Sequence, residues 1–108
     1  MEKEGYDVIE EFRFNPNEMW FADICCRKKD EIILVEAEIS SSIETILKNC
    51  KKCLRYKEVN KLILAIYTEK KNLLESKKVK GLIEELKNSL SRDKFNKIEI
   101  KNLMDFYL

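Results

Sequence analysis

Residues 31–39 read Glu31-Ile32-Ile33-Leu34-Val35-Glu36-Ala37-Glu38-Ile39, and Ser40-Ser41-Ser42 come directly after. A β-branched, apolar run closed by serines is a strand that hands over to a helix. Ser41 with Glu44 fits a capping box. Ile43, Ile46, Leu47, Cys50 and Leu54, flanked by Cys53, then fall on one helical face, and this helix is expected to end near Glu58. The run is therefore the hinge of the fold: the chain before it reads as strands, and the chain after it alternates helix and strand.

Upstream, Met19–Arg27 reads as a strand, joined to residues 31–39 through Lys28-Lys29-Asp30. Tyr6–Phe14 reads as an earlier strand, ended by the turn residues Asn15-Pro16-Asn17-Glu18. Downstream, Lys61–Tyr67 reads as a strand buried on both faces. A second amphipathic helix carries Val79, Leu82, Ile83, Leu86 and Leu90 in register, and Asn96–Lys101, with Ile98 and Ile100 alternating, closes the series as a strand. The order β-β-β-α-β-α-β implies a single α/β domain over 1–108, with a mixed sheet and covering helices. The first strand opens almost at the chain start. One face of the sheet is therefore expected to lack a covering helix, to be supplied by a partner chain or by further sequence of a longer protein.

Composition narrows the chemistry. The chain has 108 residues with 21 Lys and Arg against 20 Asp and Glu, a net charge of +1, and 44% hydrophobic residues. That supports one core and argues against a polybasic nucleic-acid coat. No apolar run approaches a membrane span and the N-terminus has no signal-peptide pattern, so a cytoplasmic protein is expected. There is no His, which removes Ser-His-Asp and Cys-His catalysis. The two glycines form no phosphate-cradling loop. Carboxylates, lysines and four cysteines remain.

Strand alternation brings the carboxylates together. Glu36 and Glu38 share one face of their strand because side chains alternate. A hairpin with Lys29-Asp30 as its loop pairs residues whose numbers sum to 59, which sets Asp23 opposite Glu36 at about 5 Å between Cβ atoms. An odd loop would turn Asp23 to the other face, and Lys-Asp is not a favoured turn dipeptide. Like charges facing one another destabilise a sheet unless a cation neutralises them. Hard oxygen donors on a rigid sheet suit Mg²⁺ or Mn²⁺. The competing reading puts all three acids on the exposed face of the hairpin. Glu10 or Glu11 is a further candidate acid.

The motifs resemble those of the PD-(D/E)XK nuclease superfamily. Gly5-Tyr6-x-Val8-x-x-Glu11 resembles the entry to its first strand, Ala22-Asp23-Ile24 its Asp motif, Glu36-Ala37-Glu38 its acid-x-Lys motif, and Asn49-x-x-Lys52-Cys53-Leu54 a pattern on the crossover helix of some members. The resemblance covers roughly residues 5 to 68 and implies a restriction-endonuclease-like core without its usual N-terminal helix. It implies Asp23, Glu36 and Glu38 as metal ligands and catalytic acids. Three departures stand out: Glu38 replaces the motif's Lys, Ala22 replaces the Pro before the Asp, and the first helix is missing.

Replacement lysines lie on the crossover helix. Asn49, Lys52 and Tyr56 occupy one flank of its apolar stripe, and Lys48, Lys51 and Arg55 the other. Lys52 is the preferred catalytic lysine and Lys48 the second, with Lys48, Lys52 and Arg55 as substrate-binding residues; a solvated basic face is the plainer alternative. Cys25 and Cys26 should point to opposite faces, and Cys50-x-x-Cys53 lies on a helix without a knuckle glycine. Buried thiols are expected there rather than a zinc or iron–sulfur site. The expected activity is phosphodiester hydrolysis of DNA or RNA with Mg²⁺ or Mn²⁺. The alternative is a catalytically inactive module for dimerisation or nucleic-acid docking.

Overall fold

A computed structural model of the protein describes residues 5–12, 22–38, 42–68 and 75–103. Its elements are β1 (Asp7–Phe12), β2 (Ala22–Lys28), β3 (Glu31–Glu38), α1 (Ile43–Leu54), β4 (Val59–Ile66), α2 (Lys77–Ser89), the single turn α3 (Arg92–Phe95) and β5 (Ile98–Asn102). The strands form one five-stranded sheet in the order β1-β2-β3-β4-β5. β1, β2 and β3 pair antiparallel, whereas β3, β4 and β5 are parallel. The expected α/β class and mixed sheet are present, with α3 as an additional element capped by Ser91. The Asn15–Glu18 turn and the C-terminal run beyond Leu103 lie outside the described residues.

Both crossovers, through α1 and through α2, step the sheet in the same direction. Right-handed connections then place both helices on one face. The core agrees: Cys25, Leu34, Leu62, Leu64 and Ile66 from the strands bury with Ile46, Cys50, Cys53 and Leu54 of α1 and Val79, Leu82 and Leu86 of α2. Each such side chain contributes about 1.5–3 kcal/mol by leaving water, so this layer dominates stability. Gly81 lets the two helices approach closely, since a Cβ there would lie 3.2 Å from Ile43 Cδ1. On the opposite face Cys26, Ile33, Val35 and Ile63 form a smaller buried cluster, joined by Tyr6 and Ile24. Among the described residues no helix lies on that face.

Two boundaries differ from the expectation. The N-cap of α1 is Ser42, whose side chain accepts the Thr45 amide, one residue after the Ser41–Glu44 box. The helix ends at Leu54 with Arg55 as C-cap, short of Glu58. The reason is the entry to β4: Val59 is fully buried, and its amide bonds back to the Tyr56 carbonyl at 3.2 Å, so residues 55–58 must turn rather than coil onward. β4 begins two residues earlier than Lys61. The β3–β4 register shifts between Ile32 and Ile33, and Asn60 Oδ1 accepts the Ile32 amide at 2.7 Å in place of a backbone partner.

Candidate functional site

The β2–β3 hairpin turns through Lys29-Asp30, with Lys28 paired to Glu31 and Ile24 to Val35. That is the even loop and the sum of 59. Asp23 therefore shares a face with Cys25, Leu34, Glu36 and Glu38, which is the face under the helices. Ile24–Val35 is the last pair of this ladder. Beyond it the Asp23 side chain takes over, with Oδ2 accepting the Ala37 amide at 2.9 Å. Asp23 is also near enough to the Glu36 carboxyl to favour its protonated form.

The competing placement on an exposed face does not hold: Glu36 is 4% and Glu38 3% exposed. Helix α1 covers them. Cys53 donates its S–H to Glu36 Oε1 at 3.6 Å, and Asn49 donates its amide to Glu38 Oε1 at 3.4 Å. Burial is the largest influence on Glu36. With the hydrogen bond and charge of Asp23 added, it pushes that carboxyl up from 4.5 to about 8, against the opposing pull of Cys53. Glu36 is thus a neutral acid near neutrality, able to donate to Asp23. Among the described residues no Lys or Arg pairs with Glu36 or Glu38. No group of three or more His, Cys, Asp or Glu among the described residues is placed so that together they could hold a metal ion.

The basic residues are less engaged. Lys52 is half-buried on the Asn49 flank and makes no ion pair with the acids. Lys48 and Arg55 are exposed, and Arg55 turns to its neighbour, bonding the Tyr56 hydroxyl at 2.7 Å and lying 4.8 Å over its ring. Glu10 pairs with Ile24 and is exposed on the other face from Asp23. Residues that the sequence did not single out for this site are Cys53 and the Ala37 amide. A signal existed for the first: Cys53 is four residues from Asn49 on the same side of the helix, but its partner depends on how the helix is rotated over the sheet.

The four cysteines are free and buried, with Cys25 and Cys26 on opposite faces as alternation requires. The carboxylates occupy the C-terminal end of parallel β3, where Glu36 and Glu38 pair with Leu64 and Ile66 of β4. That is where α/β sheets place their ligand crevices. A depression of about 460 Å³ lined by Lys28, Lys29, Asp30, Glu31 and Asn60 lies at the other end of β3 and brings no such chemistry together. Comparisons with protein-family models, with curated proteins and with solved structures returned no match.

Proposed function

We propose that the protein is a metal-dependent phosphodiester hydrolase of the PD-(D/E)XK type acting on DNA or RNA. The observation that supports this is the convergence of Asp23, Glu36 and Glu38 beneath α1, with two of the acids buried and no cationic side chain beside them among the described residues. A buried acid must either keep its proton, as Glu36 does near neutrality, or gain a compensating positive charge when it ionises. Glu38 Oε2 has no hydrogen-bond partner among the described residues, which leaves a buried oxygen for one. All-oxygen donors of this kind fit Mg²⁺ or Mn²⁺, which bind through one or two carboxylates and complete their shell with water and phosphate.

Asp23 and Glu36 would hold the ion, with the Ala37 amide fixing the orientation of Asp23. Glu38, which Asn49 orients, would either join them or accept the proton of the attacking water. The chemistry a divalent ion would supply when bound is charge neutralisation at the phosphoryl group and a more acidic water. Lys52, with Lys48 and Arg55 on the exposed side of α1, steadies the substrate backbone by its phosphates.

The test is cleavage of single- and double-stranded DNA and of RNA with Mn²⁺. Cleavage abolished by Asp23→Ala and by Glu36→Ala is expected. The absence of cleavage on every substrate overturns the enzyme reading. One observation favours a second reading, an inactive module of the same fold: Glu36 already satisfies Asp23 and Cys53 without a cation. Nucleic-acid binding or self-association without cleavage would select that reading.

A further inference from the structure

β1 and β5 are the two edges of the five-stranded sheet, each paired on one side only. The Lys97 carbonyl accepts the Leu62 amide at 2.8 Å, and β5 continues from there in parallel register with β4. Backbone groups alternate in direction along a strand. Lys97, Glu99 and Lys101 therefore aim theirs at β4, and Ile98 and Ile100 aim theirs outward. Among the described residues no hydrogen bond reaches the outward N–H or C=O of Ile98 or Ile100. The side chains of these two residues pack against the helix-side core but stay partly open to solvent. An edge left open in this way is a template for another strand.

The charges select the strand that fits. Ile98 and Ile100 face the helices, so Glu99 and Lys101 lie on the other face, where Glu99 meets Lys61 at 3.1 Å and Lys101 at 3.6 Å. These pairs reach solvent and hold their partners weakly. β1 carries acids alone among its charged residues, so a second β1 would bring like charge to like charge. β5 is complementary to itself. Laid antiparallel on a second β5 with Ile100 opposite Ile100, it sets Glu99 of each copy against Lys101 of the other. The two Ile100 residues then exchange both outward hydrogen bonds. Sliding one strand by two residues in either direction opposes Glu99 to Glu99 or Lys101 to Lys101, and sliding it by one turns the side chains to the wrong face. Edge lysines oppose strand pairing when unmatched. Here each one finds an acid. We propose that the protein forms a two-fold dimer through antiparallel β5–β5 pairing centred on Ile100, with Glu99–Lys101 pairs across the interface and one sheet running through both copies. The proposal does not depend on the chemistry of the carboxylate cluster.

The experiment is sedimentation of the full chain over a wide concentration range, with amide hydrogen exchange on the same samples. A monomer–dimer equilibrium is expected in the wild type, with the Ile100 amide protected at high concentration and exchanging freely on dilution. Glu99→Lys and Lys101→Glu should each raise the dimer dissociation constant by about tenfold or more, because each sets like charges opposite one another twice. Mixed in equal amounts, the two variants should form a heterodimer, since a basic strand then faces an acidic one. A wild type that stays monomeric at every concentration overturns the proposal. A dimer that neither charge reversal weakens also overturns it, and places the contact on another surface. Assemblies that keep growing with concentration overturn it in favour of β5 pairing with β1 of the next copy, a head-to-tail contact that does not close. Exchange at Ile100 in the wild type decides the matter even if neither variant folds.

Discussion

Asp23 Oδ2 accepts the backbone amide of Ala37 at 2.9 Å, one step past the last paired residues of β2 and β3. A side chain there takes the place of the next rung of the ladder. The same side chain is one of the causes that push the Glu36 carboxyl up. Structure and site share this one interaction, so substitutions at Asp23 read both.

Asp23→Ala should lower stability by about 0.5–1.5 kcal/mol, the net worth of one hydrogen bond whose amide can turn to water instead. Asp23→Asn keeps an acceptor for Ala37 and should lose less. Urea denaturation at pH 5 separates the two, and an equal loss in both variants would show that the amide bond contributes nothing.

Glu36 makes stability depend on pH. Its folded value is raised, to about 8 from 4.5, so below the lower value both states are protonated and the stabilisation is complete. As pH rises between these values the unfolded chain ionises first, and stability falls until the folded carboxyl titrates. The loss is a few kcal/mol at most. Glu36→Gln should flatten the slope and make the protein more stable than the wild type at pH 8, measured by thermal melts in a pH series. An unchanged slope would mean that Glu36 is already ionised in the folded state.

The thiols should be inert. Burial is the first cause in each case: it pushes Cys25 up to about 11 and Cys50 to about 12, and raises Cys26 and Cys53 as well. Thiolate is the reactive form. A disulfide reagent at pH 8 should therefore label none of the four at the rate of a free thiol until denaturant is added, when all four react. Rapid labelling of the folded protein would contradict their burial.

Core substitutions should separate the layers. Leu62→Ala, in the fully buried layer beneath the helices, should cost about 2–5 kcal/mol. Val8→Ala, at a position 37% exposed, should stay within about 0.5 kcal/mol. Chemical denaturation of the pair measures the contrast.

The hairpin carries a correctable strain. Lys29 has φ of 50°, a left-handed conformation in a two-residue loop where Asn or Gly is at ease. Lys29→Asn should raise stability by up to about 1 kcal/mol in the same assay, with no change at the carboxylates.

The β-β-β-α-β-α-β order was legible in the chain because each element has its own apolar period and its own breakers, from Ile32–Val35 to the Leu82–Leu86 stripe. The parity that puts Asp23 beside Glu36 was legible only on condition of an even loop, and the pairing of Lys28 with Glu31 is what decides it. Helix ends were not: residues 55–58 have nothing against helix locally, and the burial of Val59 decides where α1 stops. Alternation assigns Asp23, Glu36 and Glu38 to a common face but does not say whether that face meets water or a helix. Two crossovers of the same hand cover it, and the rotation of α1 over the sheet brings Cys53 to Glu36 and Asn49 to Glu38. Those are long-range packing outcomes, set by how rigid elements fit together rather than by any residue's neighbours in sequence.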